Sequence, residues 1–189
     1  MKIAVLSDIH DHIWNLEKVL KQIKRPPART TGSVNLKVRR RASGSESKVE
    51  AIIFCGDMCA PFTSAKLGSL GLPVYACLGN TDEDHLYMAE KGGKNYTWVP
   101  LGKEFGNIKL GGRRIAFNHY PKLAELLAKS GDYDAVFHGH THSSRKETHG
   151  KTLLLNPGAI CGIQGGKPGI ASYAVYDTKD NSAKIIKIV

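Results

Sequence analysis

The sequence predicts an α/β protein with a core of two β-sheets and helices on the outside. Three observations support this fold class. Short apolar runs are typical of buried strands, and one stretch between the first two runs has apolar residues at helical spacing. In the second half of the chain, apolar and polar residues alternate in several runs, which favours antiparallel strands joined by tight turns.

Five of the apolar runs predict strands that are covered on both faces. They are rich in Val, Ile, Ala and Phe and span residues 2–6, 51–54, 74–78, 114–117 and 135–137. A strand that is buried on both faces needs a continuous apolar run, whereas a half-buried strand needs only alternation. We therefore expect these five runs to be buried strands of the core.

A helix is predicted over residues 13–24, where the apolar side chains recur at the spacing of one helical face. These side chains are Ile13, Leu16, Val19, Leu20 and Ile23. Pro26 and Pro27 end this helix, because proline cannot continue the helical hydrogen bonds. A second helical stretch follows Pro121 and contains Leu123, Leu126 and Leu127.

The later strands are predicted from alternation of apolar and polar residues. The alternating runs span residues 143–148, 152–155, 172–176 and 183–188. Gly111-Gly112 and Asp180-Asn181 are typical of the tight turns that join antiparallel strands. A first half rich in strand-helix-strand units followed by such hairpins fits a core of two sheets with helices outside.

The 189 residues are expected to form one domain, residues 1–189, with a basic and disordered insertion at about residues 25–48. From Lys24 to Lys48 there are eight basic residues against one acidic residue, so this segment supplies +7 of the formal net charge of +10. The cluster Arg39-Arg40-Arg41 is interpreted first as a solvated charge cluster. Binding to nucleic acid or another polyanion is the alternative.

The location of the protein is predicted to be cytoplasmic, with no membrane partner. No apolar stretch approaches the ~20 residues that a spanning helix needs, and the chain begins with a strand instead of a signal peptide. The four cysteines, Cys55, Cys59, Cys77 and Cys161, form no CxxC pair and are interpreted as free thiols.

Residues that can ligate a metal stand directly behind the five apolar runs. Because the ends of parallel strands meet at one edge of a sheet, we expect these donors to gather at one such edge. The seven donors are Asp8, His10, Asp57, Asn80, His119, His140 and His142.

The donor set points to two divalent metal ions. Carboxylate and amide oxygens mixed with imidazole nitrogens suit Mn²⁺ first, with Ni²⁺, Fe²⁺ or Zn²⁺ as alternatives. Seven donors are too many for one ion, whereas a bridging Asp57 would give each of two ions four donors. With a shared hydroxide the site would carry a charge of about +1 and attract an anion, so phosphoester hydrolysis is the expected reaction class.

The order of the motifs resembles that of the calcineurin-like metallophosphoesterases, and in particular their short bacterial and archaeal single-domain phosphodiesterases. The resemblance covers nearly the whole chain except the insertion, and it implies a four-layer α-β-β-α sandwich of two mixed sheets flanked by helices. The motifs are Asp8-x-His10, Gly56-Asp57, Gly79-Asn80-Thr81-Asp82, His119, Gly139-His140-Thr141-His142 and the late Asn156-Pro157-Gly158.

The resemblance also implies how the donors are divided. Asp8, His10, Asp57 and His142 would hold the first metal, and Asp57, Asn80, His119 and His140 the second. Within this set Asp57, Asn80 and His119, together with Thr81, are the predicted catalytic residues.

Two positions depart from the pattern of the family. Thr81 stands where many members have a histidine near the leaving group, and threonine cannot act as a general acid near neutral pH. Tyr120 stands where the family usually has glycine, and its ring could narrow the pocket, stack on a base or pack outside the pocket. Asp82 is expected to orient a ligand or cap the following helix, and His138 to be structural.

The leading hypothesis is therefore a metal-dependent phosphodiesterase with two metal ions, in which a hydroxide shared by both ions attacks a small-molecule phosphodiester. One alternative is a protein-interaction scaffold, because a eukaryotic retromer subunit has this fold with a degraded site. The other alternative is a nuclease or nucleic-acid-binding protein that uses the basic insertion. The sequence leaves the oligomeric state open.

Overall fold

The computed structural model of the protein describes residues 1–24 and 48–189. In this part of the chain the helices are α1 (Ile13–Lys24), α2 (Pro61–Gly68), α3 (His85–Gly92) and α4 (Pro121–Ser130). The earlier strands are β1 (Lys2–Leu6), β2 (Val49–Cys55), β3 (Val74–Cys77), β4 (Tyr96–Trp98), β5 (Gly106–Leu110) and β6 (Arg113–Phe117). The later strands are β7 (Ala135–Phe137), β8 (Arg145–His149), β9 (Thr152–Asn156), β10 (Ile163–Gln164), β11 (Lys167–Pro168), β12 (Ser172–Asp177) and β13 (Ser182–Lys187).

These strands form two mixed sheets and a small hairpin. The six-stranded sheet has the order β13-β12-β1-β2-β3-β4, the five-stranded sheet has the order β5-β6-β7-β9-β8, and β10 pairs with β11. In the first sheet β1 to β4 are parallel, and β12 and β13 are antiparallel additions at one side. In the second sheet β6, β7 and β9 are parallel, with β5 and β8 antiparallel at the two edges.

Side-chain alternation along the strands produces four layers. In β1, Ile3 and Val5 point into the core between the sheets, whereas Ala4 and Leu6 pack against the helices on the outer face. Residues of α1, α2 and α3 share that outer cluster. On the far side, α4 packs Ala124 and Ala128 against the second sheet. The predicted α-β-β-α sandwich of two mixed sheets is thus confirmed.

The predicted elements agree closely with the structure. Helix α1 begins and ends as predicted and buries Leu16, Val19, Leu20 and Ile23. The second predicted helix is α4, although its packed face consists of alanines, while Leu126 is 60% exposed. The strand that was predicted over residues 143–148 begins two residues before the observed strand β8. Strand β8 lies at the edge of its sheet and is only partly buried, so the alternation of apolar and polar residues does not mark its start.

Two helices and several short strands have no clear sequence pattern. Helix α2 buries the small polar residues Thr63 and Ser64 beside Leu67, and α3 buries only Met88 and Gly92. Eight-residue helices with so few apolar contacts show no helical period in the sequence. Strands β4 and β5 are short edge strands and were missed for the same reason.

The expectation that the donors gather at the edge of one sheet was wrong. Strands β1, β2 and β3 belong to the six-stranded sheet, whereas β6 and β7 belong to the five-stranded sheet. An apolar run shows that a strand is buried, but it does not show which of two packed sheets the strand joins. The donors therefore come from two sheets whose carboxyl ends meet at one end of the sandwich.

The predicted basic insertion falls almost entirely on residues 25–47, which lie outside the described residues. Its interpretation as a charge cluster or as a nucleic-acid contact stays a prediction, as does the cytoplasmic location. Among the helices of residues 1–24 and 48–189, none is both long enough and apolar enough to cross a membrane.

Candidate metal centre

The first four donors form a compact cluster at the ends of β1, β2 and β7. Single ligand atoms of Asp8, His10, Asp57 and His142 all lie within 4.8 Å of one another. The Nε2 atoms of His10 and His142 are 3.1 Å apart, and Nε2 of His142 lies 3.3 Å from Oδ1 of Asp8. Asp8 and Asp57 are almost completely buried.

The other three donors form a second cluster at the ends of β3, β6 and β7. Asn80 Oδ1 lies 3.0 Å from Nε2 of His119 and 2.9 Å from Nδ1 of His140. The same two imidazole nitrogens are 3.1 Å apart. The structure therefore brings all seven predicted donors together at one end of the sandwich, in two neighbouring groups.

Asp57 lies between the two clusters. Its Oδ2 atom is 3.5 Å from Nε2 of His10 in the first cluster and 3.4 Å from Nε2 of His119 in the second. Its Oδ1 atom accepts a hydrogen bond of 2.9 Å from the backbone N–H of Thr81. One carboxylate oxygen thus faces both groups of imidazoles while the other fixes the carboxylate to the protein.

The carboxylates and imidazoles of the site shift each other's pKa values. Burial alone would raise the pKa of Asp57, but the imidazole of His119 and the backbone of Thr81 lower it to about 2. Burial alone would lower the pKa of His119, yet the Asp57 carboxylate raises it above its ordinary value. The carboxylate of Asp8, which is hydrogen-bonded to the ring, likewise raises the pKa of His142.

The converging atoms fit divalent metal ions. Donors held about 2.0–2.2 Å from one ion lie about 3 Å from each other, which matches the second cluster and the shorter separations of the first, whose His10 Nε2 and Asp8 Oδ1 are 3.9 Å apart. Pairs of imidazole nitrogens that face each other repel through their lone pairs unless a proton or a cation lies between them. The remaining Nδ1 of His142 meets the carbonyl of Ile163, and that of His119 meets the carbonyl of Cys55 at 2.8 Å, which orients both rings.

The donors are carried on backbone of unusual conformation. Asp8, His10, Asp57, His140 and His142 all have positive φ, between 44° and 71°. Few residues other than glycine adopt this left-handed region, and each such residue costs roughly 1–2 kcal/mol. The surrounding structure must therefore hold these loops in place.

Asp82 supplies much of that support. Its Oδ2 atom accepts hydrogen bonds from the backbone N–H groups of Asp57 and Gly79 at 3.0 and 2.8 Å. Its Oδ1 atom accepts from Met58 and Cys59 at 2.7 and 2.8 Å. Asp82 thus orients the loop that carries Asp57, as the sequence suggested, whereas the cap of α3 is Asp84.

Asn156 holds the loop that carries the donors His140 and His142. Its amide nitrogen donates to the carbonyl of Gly139 at 2.9 Å and to Thr141 Oγ1 at 3.0 Å. Residue 139 must be glycine, because a Cβ at this position would lie 1.8 Å from Oγ of Ser7 and 2.7 Å from Oδ2 of Asp8. The sequence contained the Asn-Pro-Gly motif but gave no role to its asparagine.

The contacts of three further residues at the site were not predicted. Asp11 Oδ1 accepts hydrogen bonds from the backbone of Ala60 at 3.0 Å and from the hydroxyl of Thr63 at 2.5 Å, which ties the loop after β1 to the start of α2. Cys59 Sγ lies 3.2 Å from Thr81 Oγ1 and 3.6 Å from Nδ1 of His10. Cys161 Sγ lies 3.8 Å from Nδ1 of His142. All four cysteines are free thiols, as predicted.

The remaining sequence candidates lie around the clusters. His138 is buried beneath the site and its Nδ1 faces the carbonyl of Gly139, in agreement with a structural role. The ring of Tyr120 contacts the rings of His119 and His140 with centroid separations of 5.1 and 5.2 Å. Tyr120 therefore lies beside the second cluster.

Acidification is expected to weaken metal binding at a higher pH than is usual for histidine ligands. A metal needs neutral imidazole, so binding is strong above the raised pKa values of His119 and His142 and is lost as the pH falls through them. Asp57, with a pKa of about 2, stays charged throughout. Mn²⁺ affinity can be followed by electron paramagnetic resonance between about pH 5 and pH 8, with circular dichroism as the control for folding. An Mn²⁺ affinity that begins to fall only below about pH 6.5, the ordinary pKa of histidine, would contradict this prediction.

Comparisons with a family model, a related protein and solved structures all find similarity to proteins with the calcineurin-like fold. A family model described as the calcineurin-like phosphoesterase superfamily domain matches residues 33–181. Phosphodiesterase MJ0936 of Methanocaldococcus jannaschii is 28% identical over 181 residues, which is 95% of this chain and 94% of that protein. The solved structure of a novel archaeal phosphodiesterase is 25% identical with a TM-score of 0.77, covering 99% of each chain. Vps29 of Entamoeba histolytica complexed with Zn²⁺ is 15% identical with a TM-score of 0.62 over 100% of both chains, a likeness in fold alone.

Proposed function

Because this chain belongs to the calcineurin-like phosphoesterase superfamily, we propose that it is a hydrolase that cleaves phosphodiester bonds with two divalent metal ions. The family membership predicted from the motifs is confirmed, and a related protein carries the name phosphodiesterase. The proposed substrate is a small-molecule phosphodiester. Mn²⁺ is the proposed metal, with Ni²⁺, Fe²⁺ or Zn²⁺ as alternatives.

The position of Asp57 carries this proposal. Its Oδ2 atom lies 3.5 Å from a nitrogen of one imidazole group and 3.4 Å from a nitrogen of the other. A carboxylate that is ionised down to a pH of about 2 and faces two groups of neutral donors is suited to bridge two cations. A site for one ion would have no use for the second cluster of Asn80, His119 and His140.

The proposed division of labour follows from the side chains. When bound, two divalent ions would generate a nucleophile from water near neutral pH and stabilise the attacking and leaving oxygens of the phosphate. Asp8, His10 and His142 would hold one ion, and Asn80, His119 and His140 the other, with Asp57 shared. Asp82 and Asn156 would keep the donor loops in position.

The presence of threonine at position 81 leads us to expect that diesters are cleaved faster than monoesters of the same alcohol. Its backbone is bonded to Asp57 and its hydroxyl lies 3.2 Å from Cys59 Sγ, so residue 81 lies directly beside the clusters. A threonine hydroxyl supplies no proton near neutral pH, so the leaving group must depart as a stable anion. A dianionic monoester can bind tightly at such a site, yet tight ground-state binding does not raise the turnover rate.

The proposal is tested by metal-dependent hydrolysis. The chelated protein is assayed with a monoester and a diester of the same chromogenic alcohol, and Mn²⁺, Ni²⁺, Zn²⁺ and Mg²⁺ are added back in turn. We expect no hydrolysis without metal, preference for the diester, and two equivalents of bound metal at saturation. Folded protein that binds metal but hydrolyses neither ester would favour the interaction scaffold, although a scaffold has no need of seven converging donors.

Replacing Thr81 by histidine is expected to change how the rate depends on the leaving group. A histidine near the leaving oxygen can protonate it, so esters of poor leaving groups should gain roughly 10²-fold in kcat/KM while good leaving groups gain little. The measurement is kcat/KM of wild type, Thr81→His and Thr81→Ser for diesters whose leaving groups span several pKa units. Equal slopes of log rate against leaving-group pKa in wild type and Thr81→His would remove residue 81 from the mechanism.

A further inference from the structure

Tyr120 presents an exposed aromatic ring at the second donor cluster. The residue is 47% exposed, whereas the neighbouring His119 is 2% exposed. Its ring lies at steep angles to the rings of His119 and His140, with interplanar angles of 79° and 61°. In residues 1–24 and 48–189 no other ring stacks on Tyr120 and its hydroxyl makes no hydrogen bond.

The backbone of Tyr120 is held firmly although its ring is exposed. Its carbonyl accepts a hydrogen bond of 2.8 Å from the amide of Asn118, a residue that is 1% exposed. The same carbonyl accepts from the N–H of Ala124, and Pro121 begins α4 directly afterwards. A ring on so rigid a support can bind a planar group with little loss of conformational entropy.

Tyr120 and Thr81 face different parts of the site. Thr81 lies toward the first cluster, because its hydroxyl contacts Cys59, whose thiol is 3.6 Å from His10. The ring of Tyr120 lies against two imidazoles of the second cluster, those of His119 and His140. A leaving group next to Thr81 would therefore leave the side of Tyr120 open to the ester group that stays on phosphorus.

We propose that Tyr120 determines specificity by stacking on a planar aromatic group, such as a nucleobase, carried by the ester group that stays on phosphorus. This inference rests on the proposed function and narrows the substrate to diesters with such a group. Stacking of a base on an aromatic side chain corresponds to about tenfold in affinity or more.

The test compares two diesters that have the same leaving group, p-nitrophenol. The p-nitrophenyl ester of thymidine 5′-phosphate carries a base on the retained side, whereas ethyl p-nitrophenyl phosphate carries none. We expect the ratio of their kcat/KM values to fall about tenfold in Tyr120→Leu and to stay within about twofold of wild type in Tyr120→Phe. An unchanged ratio in Tyr120→Leu, or an equal fall in Tyr120→Phe, would overturn the stacking role.

A matched control and a binding measurement complete the test. Tyr87 on α3 is 43% exposed and its ring contacts Lys91, so Tyr87→Leu removes an equally exposed ring elsewhere. A similar fall of the ratio in Tyr87→Leu would also overturn the proposal. Calorimetry of Mn²⁺-loaded variants with thymidine 5′-phosphate and ethyl phosphate separates binding from hydrolysis. If Tyr120→Leu loses the preference for thymidine 5′-phosphate, the stacking role is supported, whether or not the protein hydrolyses the diesters. If the wild-type protein hydrolyses neither diester, only the proposed function is rejected.

Discussion

Replacing Asp57 by asparagine is expected to abolish hydrolysis and to weaken both metal positions together. The carboxylate oxygen that faces His10 and His119 would become a neutral amide, which removes one negative charge from the ligands of each ion. The change keeps the size of the side chain and an acceptor for the N–H of Thr81, so the fold should survive. We expect kcat/KM to fall by roughly 10³-fold or more, because the loss affects the nucleophile and the stabilisation of charge at once.

Metal content distinguishes this effect from a general loss of structure. Bound Mn²⁺ per chain is measured by mass spectrometry after dialysis, beside wild type and Asn80→Ala. Asn80 contacts only donors of the second cluster, so its replacement should reduce the content by about one equivalent. If Asp57→Asn retained one tightly bound ion, or if Asn80→Ala lost both ions, the role of Asp57 as the ligand shared by the two ions would be contradicted.

Replacing Asp82 by alanine is expected to destabilise the protein strongly. The change leaves four backbone N–H groups without their acceptor, at Asp57, Met58, Cys59 and Gly79. Hydrogen bonds to a carboxylate contribute about 1.5–3 kcal/mol each, although water can reach some of the freed groups. We expect the free energy of unfolding to fall by about 4 kcal/mol and the Tm by roughly 10 °C.

A neighbouring aspartate provides the control for Asp82. Asp84 caps α3 through one hydrogen bond of 3.1 Å from the N–H of Tyr87 and is exposed to solvent. Its replacement by alanine should cost about 1 kcal/mol, which is typical of a lost helix cap. Urea denaturation of both variants without metal gives the comparison. Equal losses of stability would mean that the four bonds to Asp82 contribute no more than one ordinary cap.

The donor residues could be predicted because each follows a strand whose last residues are apolar and buried. Such runs predict strands from local information alone. Helix α1 was predicted for the same reason, since Leu16, Val19 and Ile23 recur on one face. The sequence could not assign the strands to two sheets, because the apolar residues of β1 and β6 pack in the same core and only packing shows which sheet each strand joins.

The supporting contacts could not be predicted, because they join segments that are distant along the chain. Asp82 and the N–H of Asp57 are 25 residues apart, and Asn156 lies 17 residues from Gly139. No local pattern shows that these groups meet. Thr63 and Ser64 are buried on α2 through polar contacts, so hydrophobic periodicity gave no sign of that helix either.

The division of the donors between two sheets has a consequence for the lifetime of the folded protein. Asp57 Oδ2 lies 3.4 Å from Nε2 of His119, a contact between the end of β2 in one sheet and the end of β6 in the other. If the proposed ions bind these donors, they would link the two sheets at that end of the sandwich. Separation of the sheets would then require release of the metal from the donors of at least one sheet, so slow metal release would lengthen the lifetime of the folded protein.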